Sequence, residues 1–223
     1  MEMQKILKNI DKYKHIVIIV PENSFLGYLA SANALFTYLL QQHKKVSLYK
    51  QSTNFDLNLK FLPWIDKVKS SYPSSCDVEI KAISSKKLFD YFQENNIKLN
   101  VKMATSLYAG LLYETNGFKK DLDITTFVMA QKLLEFKADI EICTNNILNY
   151  QKLSSLRLKA ILLKKMILKD DATLAVFELN DDDLKMSAAN VNDAQIVISE
   201  ALSLITVEKV IIIYKNNIIK ESM

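Results

Sequence analysis

MATSLYAGLLYETNGF, residues 103–118, is a largely apolar run that closes on an acidic turn. Met103, Leu107, Leu111 and Leu112 recur at helical spacing, and Ala104 and Tyr108 widen their stripe, so the spacing predicts a core helix with at least half its circumference buried. Gly110 in the middle of such a helix costs about 1 kcal/mol relative to Ala; either a neighbouring backbone approaches there or the position is tolerated. Asn116-Gly117 supplies a residue able to take φ > 0 as the C-cap, which leaves Glu114 and Thr115 exposed on the last turn.

On the N-terminal side, residues 2–13 read as a short amphipathic helix with Ile6, Leu7 and Ile10 inward. Ile16–Val20, IVIIV, is a continuous β-branched run of the kind found in parallel strands covered on both faces. Pro21 ends it. Tyr28, Ala32, Leu35, Phe36 and Leu39 then repeat at helical spacing up to Gln42, and a second strand follows at Val46–Tyr49, giving a βαβ unit with a right-handed crossover. Lys86–Asn95 reads as a helix with Leu88, Phe89 and Phe92 inward. Beyond the central helix, another starts near Thr125, capped by Asp123 or Thr125, with Phe127, Ala130, Leu133 and Leu134 on its buried side. Asp139 opens a further helix over 140–148.

Leu153, Leu156, Ala160, Leu163 and Ile167 mark a long amphipathic helix over 150–168, its other face rich in Lys and Arg; such a face is solvated or holds nucleic acid non-specifically. Strands return at Thr173–Leu179 and Lys209–Tyr214. Between them Asp181-Asp182-Asp183 caps a short helix, and Asn192 or Asp193 caps Ala194–Leu204. Asn216-Asn217 makes a hairpin turn back into Ile218–Met223.

With 223 residues, 49% hydrophobic and 24% charged, the chain suits one large domain or two small ones. No apolar run approaches the ~20 residues a bilayer span needs. MEMQKILKNIDKYK carries no secretory apolar region, so the expectation is a cytoplasmic protein with no membrane partner and with Cys76 and Cys143 reduced. A net charge of +4 permits a phosphate-bearing partner without pointing to one. The three glycines, Gly27, Gly110 and Gly117, are scattered, which excludes a glycine-rich phosphate loop.

The stretch Leu107-Tyr108-Ala109-Gly110 with Thr115, Asn116 or Gly117, and Phe118 resembles the fourth motif of the DHH (Asp-His-His) phosphoesterases, RecJ-like and oligoribonuclease-like enzymes that carry LYTG-apolar-x-T-D-T-G-x-F. Glu114 stands where that family has a metal-binding Asp. Pro21–Ser31, PENSFLGYLAS, resembles the family's first motif, H-x-N-P-D-x-D-A-x-G-S. Asn23 and Ser31 match, whereas Pro21, Phe25 and Gly27 fill the positions of the His and the two Asp ligands and offer no side-chain donor. Phe61–Ile65 and Ser71–Asp77 resemble the approach to the third strand, but Cys76-Asp77 runs directly into a segment the family places after its Asp-His-His signature. His15 and His43 are the only histidines, and neither sits in that context. A block near Asp77–Glu79 is therefore read as missing. The C-terminal part resembles the start of the DHH-associated domain, with the family's substrate-gripping residues beyond Ser222-Met223.

The resemblance implies an α/β chain: a reduced DHH-like parallel sheet flanked by helices over 1–150, then a smaller truncated α/β domain over 151–223. It implies Mn²⁺-assisted hydrolysis of phosphoester bonds in nucleotides or short oligonucleotides, with the site degraded. Glu114 is the one candidate metal ligand, against the alternative of an exposed helix-end residue, and Glu79 a weaker one; two-metal catalysis needs several converging ligands. Whether the chain is an enzyme stays open between an impaired phosphoesterase, a non-catalytic binding or assembly protein on the same fold, and a shortened form of an active enzyme. His15 and His43 read as surface residues, Asp181–Asp183 as a helix cap rather than a Ca²⁺ site, and Trp64 as a packed anchor rather than a base-stacking platform. Loss of the strands after the second, with Val210–Ile213 left as an apolar edge, predicts a homo-oligomer.

Overall fold

The computed structural model describes residues 2–22, 26–53, 55 and 57–222. The chain forms two compact units, Met1–Tyr150 and Gln151–Met223.

In the first unit α1 (Glu2–Lys8) leads through a 3₁₀ turn into β1 (His15–Ile19), followed by α2 (Leu26–Gln41), β2 (Lys45–Tyr49), β3 (Val68–Lys69) and β4 (Val78–Lys81). The sheet is parallel in the order β3-β2-β1-β4, with Ile16 opposite Val46 on one side and Val78 on the other. Central placement explains the uninterrupted apolar run of β1: Ile16, Val17 and Ile18 are all fully buried. β3 and β4 correct the expectation that the strands after the second are lost.

Around the sheet lie α3 (Ser85–Glu94), α4 (Val101–Glu114), α5 (Ile124–Glu135) and α6 (Ile140–Thr144), the last continuing as a π-turn over Asn145–Asn149. A side-chain cap starts each of these four helices: Ser84 accepts from the Lys87 N–H, Asn100 from Met103, Asp123 from Thr126 and Asp139 from Ile142. α4 is the spine. Every residue from Met103 to Leu112 is buried, and the helix packs along α2. It ends at Glu114, and the expected cap follows: Asn116, Gly117 and Phe118 all take positive φ, and the Gly117 N–H returns to the Leu112 carbonyl at 2.7 Å.

α5 departs from its expected face. Thr126, Met129 and Leu133 are buried, while Phe127 and Leu134 are exposed. Seven of its twelve residues are apolar and they spread beyond one face, so composition could not choose the side. Trp64 is an anchor: its backbone N–H donates to Asn33 Oδ1 and its indole N–H to Thr37 Oγ1, both at 2.8 Å, which fixes the β2–β3 connection to α2.

The second unit runs α7 (Leu153–Lys164), β5 (Ile167–Lys169), β6 (Leu174–Leu179), α8 (Asp181–Ser187), a 3₁₀ turn Val191–Gln195, α9 (Ile196–Ala201), β7 (Lys209–Tyr214) and β8 (Asn217–Ser222). Its mixed sheet has the order β5-β6-β7-β8, with β6 and β7 parallel and the outer pairs antiparallel. Val210–Ile213 is thus internal, paired on both sides, which corrects its reading as an open edge. α7 stops at Lys164, Ile167 belongs to β5, and the buried residues of α7 are Ser155, Leu158 and Leu162, not Leu153 and Leu156. Asn180 caps α8 with Asp183 completing a capping box, and Asn190 with Asp193 does the same for the 3₁₀ turn, replacing the caps expected at Asn192 or Asp193. The hairpin turns on Lys215 and Asn216, both at positive φ, one residue earlier than expected.

Candidate functional site

Parallel strands end together, and in an open α/β sheet the crevice beyond their carboxyl ends is the usual binding position. Here a cleft of about 430 Å³ lies beside the start of α2 and the N-cap of α3, with Gly27, Ser84, Glu114 and Lys120 on its walls and Leu112 and Leu148 among its apolar lining.

Glu114, the last residue of α4, is half-buried. This corrects its expected exposure, and Thr115 beside it is buried too. Glu114 Oε1 accepts from the Ser85 N–H at 2.9 Å, and the Lys86 N–H is a second backbone donor to the same carboxylate. The carboxylate therefore sits on the amino end of α3, where unpaired N–H groups and the helix dipole favour negative charge. Burial raises its pKa from the ordinary value, and the two backbone hydrogen bonds and the Lys86 ammonium act against that rise. Lys86 itself reaches Asp123 at 2.7 Å.

Two glycines make this placement geometrically feasible. A Cβ on Gly27 would lie 2.2 Å from Glu114 Oε1 and 2.9 Å from its Cδ and Cγ. A Cβ on Gly110 would lie 1.8 Å from Ser85 Oγ and 2.8 Å from Ser85 Cβ. A side chain, not a neighbouring backbone, is what crowds Gly110. Ser85 Oγ in turn donates to the Gly27 carbonyl at 3.1 Å. The starts of α2 and α3 and the second half of α4 are thus locked at one node of Gly27, Ser85, Gly110 and Glu114. Sequence reading picked out Glu114 and missed the node. The available signal was that a chain with three glycines places two of them inside helices.

The other first-motif positions bring no ligand to this node. Pro21 follows β1 and carries no donor side chain, Gly27 packs on Glu114, and Asn23 and Phe25 lie outside the described residues. Ser31 is buried in α2, its hydroxyl donating to the carbonyls of Tyr28 and Ile83. Among the described residues no group of three or more His, Cys, Asp and Glu side chains could hold a metal ion. A dinuclear Mn²⁺ centre needs several hard ligands aimed at shared ions. One carboxylate whose oxygens already face two backbone N–H groups does not fit that requirement.

The remaining candidates are dispersed. Glu79 is exposed on the edge strand β4 and accepts from the Tyr72 hydroxyl. His15 is buried, correcting its expected surface position, with Nε2 2.9 Å from Ser47 Oγ on the paired strand β2; His43 is exposed. Asp181 accepts from the Tyr214 hydroxyl at 2.5 Å and faces Lys215 at 3.4 Å, and Asp183 pairs with Lys165 at 2.5 Å, so the acidic run is held by capping and ion pairs. On α7, Lys159 pairs with Glu200. Cys76 and Cys143 are free thiols, and burial pushes Cys143 up to about 12.

No family model matches the sequence, and no curated protein matches it. Solved structures do. An exopolyphosphatase-related protein from Bacteroides fragilis superposes with a TM-score of 0.80 at 17% identity, covering 96% of this chain and 80% of its own. A Methanococcus jannaschii chain assigned to the family II inorganic pyrophosphatases gives a TM-score of 0.37 at 13% identity over 89% of this chain and 83% of its own, a likeness too loose to carry inference. This chain therefore shares the fold of the exopolyphosphatase-related structure: a four-stranded parallel sheet with helices, then a smaller mixed-sheet α/β unit. No described helix is long and apolar enough to cross a membrane.

Proposed function

We propose that this chain is a phosphoesterase-fold protein in which metal-assisted hydrolysis of phosphoester bonds in nucleotides or short oligonucleotides is lost or reduced to a trace. One observation carries the reading: Glu114, at the family's fourth-motif ligand position, has its carboxylate on the amino end of α3 and packed against a glycine at a first-motif ligand position. The side chain serves the scaffold, and any residual cation binding centres on it alone. The test is hydrolysis of a chromogenic phosphodiester with added Mn²⁺, run beside Glu114→Ala. Equal background rates support the proposal. Metal-dependent turnover that vanishes in Glu114→Ala overturns it and restores a mononuclear mechanism.

A second reading, a non-catalytic assembly protein that pairs with its own copy, is favoured by α5. Ile124 is 80% and Phe127 53% exposed, and Val128 and Leu134 extend the same uncovered apolar surface. Light scattering across a concentration series tests it. Concentration-dependent dimers that Ile124→Glu/Phe127→Glu dissociates support it, and a strictly monomeric wild type removes it.

A further inference from the structure

The opposite end of the first sheet carries a different chemistry. Lys8 closes α1, Lys12 lies in the 3₁₀ turn that follows, and Lys14 directly precedes β1. Lys45 opens β2, and its backbone N–H donates to the Lys14 carbonyl at 3.0 Å, so these chain segments meet at the amino ends of two adjacent strands. All four lysines are exposed, and among the described residues none has an ion-pair partner. Lys44 adds a largely covered ammonium 3.9 Å from Asp11. The other nearby acid, Asp77, is occupied by backbone: its Oδ2 accepts from the N–H groups of Lys14 and His15 at 2.6 and 2.9 Å. The two carboxylates offset only part of the charge of the five lysines, so an excess of positive charge remains.

The patch is distinct from the cleft. It lies at the amino ends of the strands and the cleft at their carboxyl ends, separated by the five residues of β1, roughly 16 Å of extended chain. We infer that this amino-end lysine cluster is a docking surface for the phosphate backbone of nucleic acid, engaged without base readout and independently of the cleft. Charge complementarity selects the partner: four unpaired ammonium groups on one surface match the closely spaced phosphates of a duplex. An anionic membrane is the weaker match, because surface binding by a helix draws on an exposed apolar face. Of the apolar residues of α1, Ile6 and Leu7 are only 7% and 4% exposed, and Met3 is partly buried against the same core.

The experiment uses the full chain and a fluorescein-labelled 20-base-pair DNA duplex, with anisotropy followed from 50 to 200 mM NaCl. About four phosphate contacts give a log–log salt slope near −4 and a loss of affinity on the order of 100-fold across that range. Lys12→Glu/Lys14→Glu/Lys45→Glu should weaken binding at least tenfold at 50 mM salt, with Lys12→Gln/Lys14→Gln/Lys45→Gln intermediate and folded by circular dichroism. Lys98→Glu/Lys119→Glu/Lys137→Glu, reversing as many exposed charges elsewhere, should change it less than threefold. The inference is overturned if wild type does not bind the duplex at 50 mM salt, or if the two charge-reversal triples weaken it equally. It is also overturned if phosphatidylserine vesicles bind through the three lysines and the duplex does not.

Discussion

Glu114 Oε1 lies 2.2 Å from the point where a Cβ on residue 27 would sit, so glycine at 27 and the carboxylate at 114 are mutually dependent. An Asp side chain at 27 could not coexist with Glu114 in its present place. Gly27→Ala should cost about 1–3 kcal/mol, the range for overpacking a filled site. In a Glu114→Ala background the obstruction is gone and the helix preference for Ala over Gly, about 1 kcal/mol, should make the same change neutral or stabilising. Urea denaturation of the four proteins of this cycle checks it. Strictly additive costs would show that the two residues do not share the space.

Gly110→Ala should be worse than Gly27→Ala. Its Cβ would meet not only the Ser85 hydroxyl at 1.8 Å but also Ser85 Cβ at 2.8 Å and Ala30 Cβ at 3.3 Å, both rooted in neighbouring helices. The expected cost is about 3 kcal/mol, the upper part of the overpacking range. Ser85→Gly should recover most of it, although that change also removes the hydroxyl bond to the Gly27 carbonyl. A thermal melt of Gly110→Ala indistinguishable from wild type would refute the crowding.

Glu114 and Asp123 should bend the pH–stability curve in opposite directions. Burial raises the folded pKa of Glu114 above 4.5, so the native state holds the proton more tightly than the unfolded chain does. Its contribution is present in full below 4.5 and is lost as pH rises through the raised folded value. Asp123 has its pKa lowered by the Lys86 ammonium first, then by the hydroxyls of Thr125 and Thr126 and the Thr126 N–H; its contribution is present above 3.8 and is lost as pH falls. Glu114→Gln should therefore flatten the decline above pH 4.5, and Asp123→Asn should flatten the acid limb. Thermal midpoints measured from pH 3 to pH 8 in one buffer series decide both. A Glu114→Gln curve parallel to wild type would mean that the carboxylate is not desolvated.

β1 was readable because a strand paired and covered on both sides leaves an unbroken β-branched run, and α4 because its apolar residues outnumber the positions on any one face. β4 was not readable: VEIK is a short edge strand whose pairing with β1 is the only thing that makes it a strand. His15 was placed on the surface because its burial follows from the pairing of β1 and β2 that puts it beside Ser47, a relation local sequence does not contain. At the site, Glu114 could be singled out by pattern, but its donor Ser85 is 29 residues away and its packing partner Gly27 lies on another helix, so no periodicity connects them. A motif reports which residue types a position has held. It does not report what a replacement will touch.

α7 offers the sharpest contrast between pattern and packing. LSSLRLKAILLK has leucines on more than one face, and the stripe through Leu153 and Leu156 is as regular as the one through Leu158 and Leu162. Packing favours the second: Leu158 and Leu162 are fully buried in the core with Phe177, Val197 and Ile212, whereas Leu153 is 61% and Leu156 50% exposed. Truncating a buried leucine removes transfer free energy and leaves a cavity, so Leu158→Ala and Leu162→Ala should each cost about 2–5 kcal/mol. Leu153→Ala and Leu156→Ala should each fall within about 0.5 kcal/mol of wild type, since an exposed leucine gives up little on truncation and Ala favours the helix. Equilibrium urea unfolding of the four single variants, followed by circular dichroism, separates the two stripes. Large losses at Leu153 and Leu156 with small ones at Leu158 and Leu162 would mean that α7 is rotated about its axis from the orientation described.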